Sequence, residues 1–412
     1  MPKQMKSRVV RLRIYAVIVA VFMLVLAFLP KKTGGLPEIE NKLLITVLGI
    51  DKQADGYFLS ATAVMPQEGQ DGAVKRLSIG ATGDSVSNAL EEIMIKMGKP
   101  LELGLCGLVI IGNSMDGESV VEHLNYLMSS GKIIPGAHLL YSPKCSAKET
   151  IEMSNNLSEA TSNNLSELVE YNSTSNNVPT VTLIKFLSET ASKSRASYMP
   201  CLEIKKKEQK GESQGGGEQN DSQKSGEKQG GEDSKTEIES ISTLALFKDG
   251  QKVALFDKEQ TEGYTWTDKL SVYGLITLNS LTVNSHDFGQ IYCQLLRKKC
   301  TLSTSLDGQI PTAKIKIEAT LGHEDSYKLN DAYRYYGVSG KEMEEAVSNG
   351  YSRQIAQQIS HSVESMKEYD CDILGTVDSM YRHNFNEFRT LKNTVDLFKN
   401  TQFSYEVIIR FI

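Results

Sequence analysis

The sequence predicts a mixed α/β body, α+β in its later part, with mixed sheets flanked by helices and one transmembrane helix in front. Three observations carry this. An unbroken apolar stretch, Ile14 to Leu29, follows the basic residues Lys3, Lys6, Arg8, Arg11 and Arg13. Segments of strand period alternate with segments of helix period from Leu43 onward. Between Lys205 and Lys235 the chain is almost wholly Lys, Glu, Gln, Gly, Ser and Asp, which divides the body in two.

The apolar stretch makes a helix of roughly 24 Å, slightly short for a hydrocarbon core of about 30 Å, so Arg13, Lys31 and Lys32 must snorkel. Ile14, Val17, Val21, Leu24, Phe28 and Leu29 are the expected anchor residues. The basic excess precedes the stretch, which keeps the N-terminus in the cytoplasm and places residues from Thr33 onward outside. A cleaved signal peptide is the competing reading, but Ala27 to Lys32 offers no small-residue cleavage site. A lipoprotein needs a cysteine just after the stretch, and the first cysteine is Cys106.

The body of roughly 380 residues suggests two or three domains. With 45 basic against 51 acidic residues, and no basic stripe interleaved with aromatics, nucleic acid is not an expected partner. The six cysteines are scattered. Cys293 and Cys300, seven apart, fall on opposite faces of a strand or two turns apart on a helix, so free thiols are expected.

In chain order, Leu43 to Ile50 reads as a buried strand and Tyr57 to Met65 as its hairpin partner across the turn Lys52 to Gly56. Arg76 to Ala81 is a third strand. Asp84 is expected to cap a helix bearing Val86, Ala89, Leu90, Ile93 and Met97 that stops at Gly98 and Pro100. Leu105 to Ile111 is a strand, followed by a helix carrying Val120, Val121, Leu124, Leu127 and Met128. His138 to Tyr141 is a strand, and Ser146 with Glu149 opens a helix as a capping box. The echo of Ser154 to Glu159 in Ser162 to Glu167 is too short for a solenoid. A helix near Thr182 to Thr190 precedes the polar tract, which has nothing apolar to bury and is expected to be disordered.

After the tract, Ser240 to Phe247 and Lys252 to Phe256 read as strands around Lys248-Asp249-Gly250, and Val272 to Val283 as one longer strand. Ala313, Ile315, Ile317 and Ala319 alternate with Lys314, Lys316 and Glu318, a strand with one wet face. A long helix follows with Met343, Val347, Tyr351, Ile355, Ile359 and Met366 on one side. Phe403, Tyr405, Val407, Ile409 and Phe411 form a terminal strand. A helix laid over a sheet is the economical arrangement.

Catalytic patterns are sparse. Gly112-Asn113-Ser114-Met115-Asp116 sits where a nucleophile elbow would, but Asp116 replaces its second glycine, so a polar turn is expected. Gly80 to Ser85 lacks the lysine of a phosphate loop and the third glycine of a dinucleotide fingerprint. The six histidines stand alone, without metal-ligand spacing. Glu91-Glu92 and Glu344-Glu345 are adjacent pairs that do not converge. No catalytic, cofactor or metal residue is expected, and the chain is not expected to be an enzyme.

Four short motifs in order carry a resemblance: Gly49-Ile50-Asp51, Pro100 to Gly112, Ala245-Leu246-Phe247-Lys248, and Tyr369 to Gly375 followed by Tyr381-Arg382. From about Leu43 to the C-terminus the chain resembles the Ger(x)C family, the C subunits of bacterial spore germinant receptors. The resemblance implies three mixed α/β domains on the outer face of the spore inner membrane, beside a multi-helix A subunit and a transporter-like B subunit. It implies no catalytic residue or cofactor, and a small-molecule germinant is not expected to bind this subunit. Family members usually carry a lipidated cysteine, absent here, and Leu105 stands where many carry histidine. The expected division is residues 1–32 as cytoplasmic stub and anchor, 33–200 as an N-terminal α/β domain and 201–238 as a linker or loop. A small β-rich middle domain at 239–285 and a C-terminal α+β domain at 286–412 complete it. Gly49, Ile50, Asp51, Phe247, Asp372 and Gly375 are motif residues, and a structural turn is the expected role of Gly49, Asp51, Asp372 and Gly375. The alternative function is a membrane-tethered solute-binding protein serving a transporter.

Overall fold

The computed structural model describes residue 19 and residues 42–66, 74–160, 165–174, 178–206, 236–268, 274–307, 310–323, 334–391 and 396–412. The anchor residues Ile14, Val17, Val21, Leu24, Phe28 and Leu29 and the polar tract from Lys207 to Lys235 lie outside them. Among the described residues no helix is long and apolar enough to cross a membrane. Leu43–Ile412 form one compact unit, and its architecture is mixed α/β.

A ten-stranded mixed sheet dominates the first part. Strands β1 (Leu43–Gln53), β2 (Gly56–Pro66) and β3 (Val74–Gly83) form an antiparallel meander. Helix α1 (Val86–Met97) follows, then β4 (Leu101–Glu102), β5 (Leu108–Gly112), α2 (Val121–Ser129), β6 (His138–Ser142), α3 (Ala147–Ala160) and α4 (Leu165–Thr174). Next come β7 (Val181–Thr182), α5 (Leu183–Thr190), β8 (Ala196–Lys206), β9 (Thr236–Lys248) and β10 (Gln251–Leu255). The main order is β10-β9-β8-β6-β5-β1-β2-β3, with β4 added to β1 and β7 to β6. β1, β5 and β6 are parallel, and β5 is buried throughout, as a strand covered on both faces must be.

Alternation places Gly49, Ser60 and Gly80 in one cross-strand row, with Thr62 and Ser78 beside it. These small residues let α3 lie close to the sheet: a Cβ on Gly49 would sit 2.9 Å from Ala147 Cβ and from Ile151 Cδ1. Asn155 of α3 donates to Ser78 Oγ at 2.7 Å and accepts from Thr62 Oγ1 at 3.2 Å. The other face carries Leu48, Ile50, Leu59 and Ala61 into the core with Ala89, Leu90 and Ile93 of α1.

The second sheet has four strands in the order β11-β14-β15-β16. After α6 (Lys258–Thr267) the chain forms β11 (Gly274–Leu278), a small ribbon of β12 (Thr282–Val283) and β13 (His286–Asp287), and the long pair β14 (Ile291–Asp307) and β15 (Ile310–His323). Helices α7 (Gly340–Glu368), α8 (Thr376–His383) and α9 (Phe385–Leu391) then lead to β16 (Gln402–Phe411), parallel to β15. Met343, Val347, Tyr351, Ile355, Ile359 and Val363 of α7 pack on Leu295, Ile315, Ile317, Ala319 and Leu321. The opposite face is wet, with Lys316 3.3 Å from Glu318 and 3.8 Å from Glu406.

Several sequence expectations are corrected. Ser85, not Asp84, caps α1, because its hydroxyl is placed to accept from Asn88 N at 3.2 Å. Leu105 lies in the turn before β5, which begins at Leu108. Residues 272–283 do not form one strand, since β11 ends at Leu278 and β12 begins at Thr282. Helix α6, opened by a capping box of Asp257 and Gln260, and the long strand β14 were not anticipated. A bulge between Leu295 and Arg297 inserts one residue into β14. It puts Cys293 and Cys300 against the same core, opposite His323 and Ile317, where simple alternation separates them. β9 and β10 extend the first sheet rather than standing apart.

The polar tract joins neighbouring strands, because Lys205 pairs with Glu237 and Lys206 with Thr236. Replacing 207–235 by a short Gly-containing turn is expected to leave the melting temperature unchanged or to raise it, since each halving of a flexible loop lowers its closure cost by about 0.6 kcal/mol. Thermal unfolding of the shortened chain measures this, and a fall of several degrees would show that the tract contributes contacts.

Candidate functional site

The polar residues with the most demanding geometry gather at the ends of helices α3 and α8. Asp51, 5% exposed at the end of β1, accepts from Ala147 N at 2.9 Å and Ser114 Oγ at 2.9 Å through Oδ1, and from Lys148 N at 3.0 Å through Oδ2. Ser146 accepts from Glu149 N at 3.1 Å, and the Glu149 carboxylate reaches back to Ser146 N at 2.9 Å. The opening amides of α3 are therefore satisfied by a strand carboxylate and a capping box together, and the negative charge stands at the positive end of the helix. Gly112 has no Cβ because one would collide with Asp51 Oδ1. Ser114, at the position of a nucleophile elbow, has its hydroxyl between Asp51 and Lys52 N, so it serves as a bridge between β1 and the turn after β5.

Asp116, from the same turn, accepts from Tyr141 Oη at 2.6 Å and from Lys252 Nζ, and Lys252 also donates to Tyr141 Oη at 3.1 Å. Burial, with the Asp116 bond, pushes the Tyr141 hydroxyl well above its usual range. Tyr141 meets Phe247 edge to face at 6.1 Å, and Phe247 meets Phe186 at 5.4 Å. Phe247 thus joins β9 to β6 and α5.

The second carboxylate, Asp372, is 1% exposed. It accepts from Thr376 N at 3.0 Å, Val377 N at 2.8 Å and Ser194 Oγ at 2.7 Å. Burial pushes its carboxyl above the ordinary value, against the pull of those hydrogen bonds. Gly375, with φ +70°, supplies the left-handed residue that turns the chain into α8. Asp378 grips the same loop in reverse, accepting from Ser192 Oγ at 2.9 Å, Lys193 N at 2.9 Å and Ser194 N at 3.1 Å. Burial raises the Asp378 carboxyl, but these bonds outweigh it and hold it below the ordinary value. Cys371 Sγ reaches Phe247 O at 3.3 Å, and Lys248 lies 3.4 Å from Asp370 and donates to Ser194 O at 3.2 Å.

The motif residues of the sequence therefore fall into two groups. Gly49 and Asp51 seat α3 on the first sheet, while Phe247, Asp372 and Gly375 bind the segment before α8 to that sheet. Asp51 caps a helix about a hundred residues away instead of bonding its own downstream amides; Ser194 and Asp378 carry no sequence signal that marks them. Among the described residues no group of three or more His, Cys, Asp or Glu is placed to hold a metal ion. Burial pushes the thiols of Cys106 and Cys201 up to about 12.

A cleft of about 610 Å³ lies between β9 and α6 on one side and β11 and α7 on the other. Trp266, Tyr292 and Tyr351 line it with Glu262, Gln354 and Gln358. The aromatics are largely committed elsewhere. Trp266 is 6% exposed and Tyr351 1%, the latter donating to Ile276 O and Ile291 O. Gln358 Nε2 holds Glu262 at 2.8 Å.

Asp51→Ala is expected to destabilise by about 3 kcal/mol, because it strands two helix amides and the Ser114 hydroxyl in a buried site; chemical denaturation measures it. Asp378→Asn is expected to cost stability at pH 7. A depressed carboxyl stabilises fully above the ordinary value near 4 and loses that contribution as pH falls through its folded value. Melting curves of wild type and variant should keep their gap from pH 7 down to about 5 and draw together as pH falls below about 4, and a gap that persists unchanged into that range would show that charge is not what Asp378 contributes.

Two family matches cover most of this body: residues 37–204 match "Spore germination protein N-terminal domain" and residues 242–411 match "Spore germination B3/ GerAC like, C-terminal". No match was found among the curated proteins. Among solved structures the chain is similar to a crystal structure of the GerBC protein, with 13% identity and a TM-score of 0.49 over 89% of this chain and 96% of that one. Matched in order over both halves, the chain belongs to the GerAC-like family of spore germination proteins, the C subunits of germinant receptors.

Proposed function

We propose that this chain is a non-enzymatic receptor subunit, anchored by residues 14–29 in the spore inner membrane with its body on the outer face. There it acts beside the A and B membrane subunits to trigger germination. The observation that carries this reading is the match of both family domains over residues 37–204 and 242–411. The geometry supports it in one respect. The motif residues are engaged in capping and packing within the chain, as suits a subunit that presents a firm surface to partners. Membrane attachment raises the effective concentration of that surface beside its partners, so binding need not be tight.

A second reading, a membrane-tethered solute-binding protein, is favoured by the 610 Å³ cleft, a volume in the range of small-molecule sites. Its aromatic faces are mostly buried, which favours the subunit reading.

Deleting the gene is expected to abolish the response to particular germinants and to leave germination by receptor-bypassing agents intact. A version truncated before Leu43 and released from the membrane should respond poorly even when folded, and a lipid-modified cysteine in place of the helix should restore the response. Normal germination of the deletion strain across amino-acid, sugar and bile-salt triggers, with no paralogue expressed, would remove the subunit reading and promote the solute-binding one.

A further inference from the structure

Strand β16 is outermost in the second sheet, and its outer edge is long and regular. It runs from Gln402 to Phe411 beside β15 without a bulge, and no strand lies beyond it among the described residues. Proline, bulges and inward-pointing charges are the usual guards of such an edge. β16 has none of them, since its two charges, Glu406 and Arg410, stand on the wet face.

Ile412 N donates to Leu321 O at 3.1 Å, so the even-numbered residues aim their backbone groups at β15. Alternation then turns the N–H and C=O of Phe403, Tyr405, Val407, Ile409 and Phe411 toward the open edge. The side chains of these five pack on the core under α7, yet all are only partly buried, whereas Ile315, Ile317, Ala319 and Leu321 of β15 are buried. One more strand would complete both the hydrogen-bond ladder and the apolar row.

The charges around the edge are few and can be named. On the wet face Lys314 and Lys316 of β15 hold Glu406, and Lys316 also holds Glu318; Arg297 and Lys299 belong to β14, two strands in. On the helix side Glu364 lies near Tyr405, and Lys367 donates to Thr401 O. Asp396 and Lys399, before the strand, pair with each other at 3.9 Å. Arg410 is exposed and has no ion-pair partner among the described residues. Glu406 keeps lone pairs for a further cation on the side away from β15.

These features are self-complementary in one antiparallel register. With a two-fold axis at Ile408, Val407 faces Ile409 of a second copy and Tyr405 faces Phe411, and all of these carry outward backbone groups that can bond. Glu406 faces Arg410 of the copy, and Arg410 its Glu406, in the non-hydrogen-bonded positions where side chains stand closest. Ile408, an apolar residue on the wet face, faces itself. An axis at Glu406 or Arg410 would oppose like charges, and one at Val407 or Ile409 would set Glu406 or Arg410 against Ile408. Helix α7 meets β16 near its start, with Lys367 5.2 Å over the Phe403 ring and Ser360 beside Tyr405. In this register the copy's α7 lies over the other end of the strand pair, so the helices stay apart.

We propose that β16 pairs antiparallel with β16 of a second copy of this chain about a two-fold axis at Ile408, with Glu406 and Arg410 as reciprocal ion pairs that fix the register. The two second sheets then become one continuous sheet of eight strands. This goes beyond the subunit reading and needs neither the anchor nor the A and B subunits.

The test uses the full chain in detergent under mild oxidation, with the wild type setting the background from the native thiols. Ile408→Cys is expected to give at least about fivefold more disulfide-linked dimer than Ser404→Cys, because the axis brings two 408 Cα atoms to about 4.5 Å and holds two 404 Cα atoms about 26 Å apart. Adding Arg410→Glu to Ile408→Cys should lower the yield about tenfold by opposing carboxylates in both pairs, whereas Arg410→Lys should preserve it. Arg410 has no ion partner within the described chain, so the fold is expected to survive both changes, and thermal melting of each variant checks this. Equal cross-linking at 404 and 408, a yield at 408 no higher than wild type, or a yield unmoved by Arg410→Glu would each overturn the proposal.

Discussion

A helix laid against a sheet leaves its first amides facing protein instead of water, and here two buried aspartates answer that constraint. Asp51 reaches from the end of β1 to the opening of α3, and Asp372 sits below the opening of α8. Each carboxylate accepts two helix amides and one serine hydroxyl. A carboxyl group so deeply placed would be costly alone, and the helix N-terminal amides and hydroxyl donors offset part of the lost hydration, though at Asp372 burial still prevails. The close seat of α3, the row of small residues below it and the absent Cβ of Gly112 all follow from accommodating Asp51.

The second carboxylate has the longer reach in sequence. Ser194 belongs to the loop entering β8, so its bond to Asp372 joins the first sheet to a segment that follows α7. Asp378 holds the backbone of that same loop, and Cys371, Lys248 and Asp370 add contacts around Phe247. Tyr264 extends the tie, meeting Tyr198 edge to face at 5.1 Å and donating to Ile373 O. Lys298 of β14, with its ammonium lowered to about 8 by burial, donates to Thr265 O at 2.5 Å. Strands from both sheets are thus held through α6 and the segment preceding α8 by bonds that hydration cannot easily replace.

This arrangement also explains why a family signature can be short and scattered. Gly49, Asp51, Phe247 and Asp372 are far apart in sequence, yet each meets a partner from a different element, and most substitutions there would strand a buried donor or force a helix away. Their chemistry is internal.

What the sequence determined by itself was local. Periodicity placed the first hairpin, α1, α7 and β16, because an alternating or helical apolar face is written in neighbouring residues. The Ser146–Glu149 capping box was legible for the same reason, since its bonds close within one turn. The tertiary structure alone decided that Asp51 caps a helix about a hundred residues later, that Ser194 and Asp378 form a clasp, and that β8 and β9 pair across the polar tract. It also decided that β9 and β10 belong to the first sheet and that a bulge in β14 brings Cys293 and Cys300 to one face. Pairing partners, bulges and long-range caps depend on which segments the fold brings together, and a hydrogen bond between distant residues leaves no period in the chain.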